Sequence, residues 1–130
     1  MADSPFNPNS FPPPEPGQEL VICVLNEPAY LHDVLTAFLE AGAPSATVIE
    51  SQGMGRILSH DVPVFAGFRH LFAGSKPFNH TIFTVVPNRA MTEDILRLCR
   101  DVLADCPEPQ QGILFSLPVP FFAKLSTDKP

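Results

Sequence analysis

The chain has 130 residues, 45% of them hydrophobic and 17% charged, with 16 prolines, 11 phenylalanines and no tryptophan. That length suits one domain, and the apolar share is enough for a core, which excludes wholesale disorder. Eight Lys and Arg against 14 Asp and Glu leave a net charge of −6, which excludes a protein that binds nucleic acid mainly through its phosphates.

Residues 1–18 hold six of the 16 prolines and few large apolar side chains besides Phe6 and Phe11. Proline fixes φ and lacks a backbone donor, so a disordered or polyproline-like tail is expected here. The stretch has no basic residue and no apolar core, so no secretory leader is expected in it. Nowhere does an apolar run approach the roughly 20 residues that cross a bilayer, and direct membrane insertion is not expected. The domain itself is expected over residues 19–125, with 126–130 frayed.

Leu20 to Leu25 form a short, wholly apolar run that predicts a strand covered on both faces. Asn26 is placed to cap the following helix, with Pro28 in its first turn. Leu31, Val34, Leu35, Phe38 and Leu39 recur at helical spacing, and Gly42 supplies a stop. Residues 46–50 predict a second strand, 53–79 a long irregular segment, and 81–86 a third strand ended by Pro87. Thr92 is read as the cap of a second helix with the face Ile95, Leu98, Cys99, Val102 and Leu103. Gly112 to Leu117 predict the fourth strand. The order β-α-β-β-α-β is that of the ferredoxin-like α+β sandwich.

Two helices cover one face of such a sheet, so apolar and polar residues should alternate along its strands. They do not. Ile22 and Val24 oppose Val21, Cys23 and Leu25, while Ile113, Phe115 and Leu117 oppose Leu114 and Ser116. The uncovered face therefore predicts self-association through the sheet. The rival reading has segments 53–79 and 118–125 folding back over that face.

Cys23, Cys99 and Cys106 are odd in number and form no CxxC pair. Cys23 and Cys99 are read as small buried hydrophobes of a reducing, cytoplasmic compartment. His60, Asp61, His70 and His80 fall close together, but no pair has tight ligand spacing, so no metal site is assigned. Ser51, Ser59 and Ser75 lie in no nucleophile context, and Glu50 has no partner carboxylate, so no enzyme is expected. Within 57–79, Asp61 is placed to cap a short helix ended by Gly74. Its face would hold Phe65, Phe68, Leu71 and Phe72, with Arg69 nearby, either as a partner-docking surface or packed on the protein's own assembly.

The most specific local pattern is Gly53-Met54-Gly55-Arg56 at the exit of the second strand. Paired glycines permit close backbone approach or unusual φ, and the arginine reaches an anion. With the strand order, this resembles the P-II signalling family, in which the second strand enters a mobile loop through a similar motif. Phe83 to Asn88 resemble that family's third strand and its Val-Val-Pro-Asp exit. Gly112 to Val119 resemble its fourth strand with a terminal Pro-Val. The resemblance spans about residues 19–125.

It implies a homotrimer with adenine nucleotides (AMP, ADP or ATP) bound in clefts between subunits. A smaller anion such as bicarbonate is the other effector class. It also implies a mobile loop that grips a target protein such as a membrane transporter or an enzyme, within nitrogen or carbon regulation. Thr47 and Val85 match positions lining the adenine pocket. Gly53, Met54, Gly55 and Arg56 match the groups beside the phosphates, Gly112 opens the matching fourth strand, and Lys124 falls where the family carries a phosphate-binding arginine. Phe65, Phe68, Arg69 and Phe72 would lie on the partner-binding loop. Three departures stand out. The family's glycine-rich phosphate loop is replaced by Asp105 to Gly112, the glutamine after the motif is Ile57, and the mobile loop has no tyrosine, since Tyr30 is the only one. Two other readings of the chain are a ligand-independent interaction module and a metal-binding trimer similar to the copper-tolerance proteins.

Overall fold

The computed structural model describes residues 17–61, 64 and 78–126. Four strands, β1 (Glu19–Leu25), β2 (Thr47–Gln52), β3 (Phe78–Val86) and β4 (Gly112–Pro118), form one sheet in the order β2-β3-β1-β4. All three pairings are antiparallel. The helices are α1 (Leu31–Glu40), α2 (Met54–Asp61), α3 (Arg89–Val102) and the short α4 (Glu108–Gln111). α1 and α3 pack side by side, and α3 lies against β1 and β3. This is the α+β ferredoxin-like arrangement that the periodicity predicts.

Several local expectations are corrected. Asn26 does not cap a helix. Glu27 does, accepting from the Ala29 amide at the start of a 3-10 turn over Pro28–Tyr30 that leads into α1. Leu39 is 68% exposed, and Ala37 takes its place in the core beside Val34 and Phe38. Thr92 lies inside α3 rather than capping it. The cap is Asn88, whose Oδ1 accepts from the Met91 amide at 2.9 Å. Pro87 ends the strand, so the chain turns into helix at once and the first available Asx side chain takes the amide.

Segment 53–79 is not irregular throughout. Helix α2 starts directly after Gly53, and β3 begins at Phe78, three residues before the expected Thr81. Asp61 closes α2 instead of opening a helix. The remainder of the proposed aromatic helix lies outside the described residues, as do Phe65, Phe68, Arg69 and Phe72. The tail over 1–16 and residues 127–130 lie outside them too. Residues 105–111 are not simply a loop, since they contain α4.

The end of α1 explains why the chain reverses there. Gly42, with φ +106°, follows the C-cap residue Ala41. Its amide donates to the Leu39 carbonyl and the Ala43 amide to the Phe38 carbonyl, both at 3.0 Å. This is the paired closure that satisfies orphan carbonyls at a helix end.

One face of the sheet carries Val21, Cys23, Leu25, Ile82 and Val86, which meet Val34, Phe38, Ile95 and Cys99 in a single core. The register places Leu20, Ile22 and Val24 on the other face, beside Phe83 and Val85 of β3 and Ile113, Phe115 and Leu117 of β4. Ile49 of β2 joins them through its pairing with Thr81. Ile49 and Leu117 are each 48% exposed, Phe115 is 43% and Ile113 is 62%. The segment after β4 does not close this face over, since Phe121, Phe122 and Leu125 are exposed themselves.

A buried carboxylate ties the sheet to the helix layer. Glu19 accepts from Arg89 Nε and from Thr92 Oγ1, each at 2.8 Å. Burial pushes its pKa up, but hydrogen bonds from Thr92, Arg89 and Ser116 and the charge of Arg89 outweigh this and hold it below the ordinary glutamate range. A carboxyl whose folded pKa is depressed contributes stability that is complete above its unfolded pKa, about 4.3, and is lost as pH falls through the folded value. Thermal stability should therefore fall on acidification below about pH 4.3. Glu19→Gln should lower stability at pH 7 by about 1–2 kcal/mol and flatten that acid limb. Parallel acid limbs for the two proteins would refute the assignment.

Candidate functional site

The motif Gly53-Met54-Gly55-Arg56 is the start of a helix. The Ile57 amide donates to the Gly53 carbonyl at 3.0 Å, the first bond of α2, so Gly53 occupies the capping position. The unusual φ expected of these glycines is absent. Among the described residues, φ is positive only at Gly42 and Gly112. The pair serves a different purpose here. The first amides of a helix have no acceptor within it, and residues without side chains leave them open to an anion. Arg56 follows in the same first turn.

Thr47 and Val85 share the sheet face opposite the helices. Thr47 pairs with Phe83, two residues from Val85 on that side, and Ser45, two residues before Thr47, accepts from Thr84 Oγ1 at 2.6 Å. Gly53 stands beyond the far end of β2. At roughly 3.3 Å per residue, Thr47 and Gly53 are on the order of 20 Å apart. Gly112 pairs with Leu25, which pairs with His80, which pairs with Glu50. It therefore sits at the same end of the sheet as Gly53, but on the opposite edge strand. Lys124 follows the other end of β4, where the Val119 amide donates to the Gln18 carbonyl at 2.9 Å. Within one chain the candidate residues thus form two groups. Gly53, Met54, Gly55, Arg56 and Gly112 lie at one end of the sheet. Thr47 and Val85 lie toward the other, where β4 ends ahead of Lys124.

The segment before β4 is closed on itself. Gln111 Nε2 donates to the carbonyls of Leu103 at 3.0 Å and Cys106 at 2.7 Å. The Cys106 amide donates to the Leu103 carbonyl and the Gln110 amide to the Pro107 carbonyl. These amides are committed internally, so the turn offers an anion little.

Sequence reasoning missed a polar cluster on the bare face near the β2 exit. Ser51 Oγ donates to Asn79 Oδ1 at 2.5 Å and lies 2.8 Å from Thr81 Oγ1, while Asn79 Nδ2 reaches Asn26 Oδ1 at 3.4 Å. Its signal is the polar side chains of Asn79 and Thr81, two residues apart and so on one face of the strand. Among the described residues, no three His, Cys, Asp or Glu converge as metal ligands. The side chains of His60 and Asp61, and all of His70, lie outside the described set. Cys23, Cys99 and Cys106 are free and buried. Burial raises the Cys23 thiol to about 11, and burial together with Cys23 raises Cys99 to about 12, so both are apolar fillers at neutral pH. Among the described residues no helix is long and apolar enough to cross a membrane.

No protein-family model matches the chain. No curated protein matches it in sequence either. Solved structures do. PII of Arabidopsis thaliana bound to citrate superposes with a TM-score of 0.55 at 18% identity, over 79% of this chain and 78% of that one. GlnK of B. subtilis superposes with a TM-score of 0.60 at 17% identity, over 87% of this chain and 94% of that one. The B. subtilis GlnK–ATP complex gives 0.50 at 16% identity, over 78% and 80%. The chain has the ferredoxin-like fold of the PII and GlnK proteins, carried by a strongly divergent sequence.

Proposed function

We propose that this chain is a PII-like regulatory protein of the cytoplasm that acts without catalysis. It assembles as a homotrimer through its bare sheet face and binds a small anionic metabolite between subunits. The single observation that carries this reading is the division of the candidate residues between two ends of one chain. The amides of Met54 and Gly55 with Arg56 offer anion chemistry at one end, and Thr47, Val85 and Lys124 offer a wall and a cation toward the other. A neighbouring copy brings the two halves together. Two of the structural neighbours were solved with citrate and with ATP, and both ligands are polyanions. An adenine nucleotide is one effector class and a smaller anion such as bicarbonate the other. The self-satisfied turn before β4 favours an effector with fewer phosphates than ATP.

Segment 53–79 is the control element for a target protein, through Phe65, Phe68, Arg69 and Phe72. Ligand binding alters target affinity only if the ligand prefers one state of that segment. Titration calorimetry with AMP, ADP, ATP and bicarbonate tests the site. We expect saturable binding of at least one, weakened about 10-fold or more by Arg56→Ala or Lys124→Ala, as befits a charge-assisted contact. Absence of heat with all four, or unchanged affinity in both variants, would overturn the proposal.

A further inference from the structure

The helix layer stops short of one sheet edge. α3 packs against β1 and β3, whereas β4 is the outermost strand on that side. Between α3 and β4 lies a cleft of about 530 Å³. This falls in the range, roughly 300–1,000 Å³, that holds small organic ligands. Leu96, Cys99 and Arg100 of α3 and its C-cap residue Leu103 line it, at the i, i+3, i+4, i+7 spacing of a single helical stripe. Cys23 and Leu114 line it from the sheet.

Residue size explains the room. Cys23 and Cys99 are each 4% exposed and so lie deep, and Gly112 contributes no side chain. Small residues at these positions leave open what leucine or phenylalanine would fill. The cleft's chemistry is lopsided. Its depth is apolar, and the amide nitrogen of Gln111 is already committed to the Leu103 and Cys106 carbonyls. Arg100, exposed in the last turn of α3, is its one charged lining group. Among the described residues Arg89 pairs with Glu19 and Arg97 with Asp94, while Arg100 has no carboxylate partner. A slot in which Leu96, Leu103 and Leu114 share the lining with polar groups, with an unpaired guanidinium at its edge, matches a molecule with an apolar body and one anionic head.

We infer that the cleft between α3 and β4 is a second ligand site, for an amphiphilic carboxylate whose chain lies among Cys23, Leu96, Leu103 and Leu114 and whose head meets Arg100. It opens on the helix-covered side of the sheet and shares Gly112 with the candidate residues described above, but none of Gly53 to Arg56. Arg100→Gln, rather than any change at Gly112, therefore separates its fate from that of the proposed intersubunit site.

Decanoate below its micellar concentration is the probe, with 1-decanol as the uncharged control, titrated calorimetrically into the full chain. We expect one decanoate per chain and at least 10-fold weaker binding to Arg100→Gln, a surface change that leaves the core intact. Decanol should bind the wild type and Arg100→Gln alike. Cys99→Phe should fill the cleft and abolish binding, and Phe115→Asp, on the bare face, should leave it unchanged. Equal decanoate affinity for the wild type and Arg100→Gln would overturn the site, as would binding lost in Phe115→Asp. A requirement to delete residues 1–16 before decanoate binds would also overturn it, by assigning the cleft to the chain's own tail.

Discussion

Replacing Gly112 by alanine is expected to cost the fold about 3 kcal/mol or more, and to lower the melting temperature by on the order of 10–20 °C. Two independent penalties meet at this residue. Its backbone has φ +117° and ψ −159°, a region that is essentially confined to glycine. A Cβ added there would also collide with the carbonyl of Val24 on the neighbouring strand. That obstacle is backbone inside the β1–β4 ladder, so relief requires moving the strand pair itself. Gly42 provides the comparison. It too has positive φ, +106°, but its Cβ would meet the end of the Met91 side chain at 3.2 Å, a group able to swing away. Gly42→Ala should therefore cost only about 1–2 kcal/mol. Urea denaturation of both variants decides the matter, and a Gly112→Ala no weaker than Gly42→Ala would remove Gly112 from its role as the hinge into β4.

The contrast between these glycines shows what the sequence makes legible. Gly42 follows a helix with clear 3.6-residue spacing, and its stop role is readable from position alone. Gly112 matters because Val24, far away in the chain, presses on it, and no local pattern announces that. The strands were legible for a related reason. A side chain every second residue, apolar on both sides, survives any small error in strand ends, so the two-faced sheet emerges even though β2 and β3 were placed one to three residues off. Helix starts were less legible. Asn88 and Thr92 are both good caps by type, and only the Glu19 carboxylate, buried in the sheet, draws the Thr92 hydroxyl inward. The Gly53 to Arg56 motif stands out in the sequence as a candidate anion element, but its helical state does not. Gly55 in the first turn argues against a helix by propensity, while Gly53 lies outside it as the capping residue.

The face opposite the helices is where assembly should be won or lost. Ile49, Ile113, Phe115 and Leu117 are still 43–62% exposed in the single chain. Burying each fully is worth roughly 1.5–3 kcal/mol, and completing that burial for four of them gives a drive of several kcal/mol. Association must exceed its loss of rotational and translational freedom, so partial burial of one or two such residues would not suffice, and the continuity of the patch across β4, β1, β3 and β2 is what counts. Full-length protein at tens of micromolar is expected to sediment as three chains of 14.2 kDa. Ile113→Asp with Phe115→Asp places two carboxylates on the β4 part of that face, where desolvating them on association costs several kcal/mol. Both positions are already solvent-accessible in one chain, so the double variant should keep its far-ultraviolet circular dichroism and unfold cooperatively while sedimenting as a single chain. Wild-type protein that stays monomeric at those concentrations would leave the two halves of the candidate site 20 Å apart (by the ~3.3 Å rise per residue along β2) with nothing to join them, and the proposed sensing role would fall with the trimer.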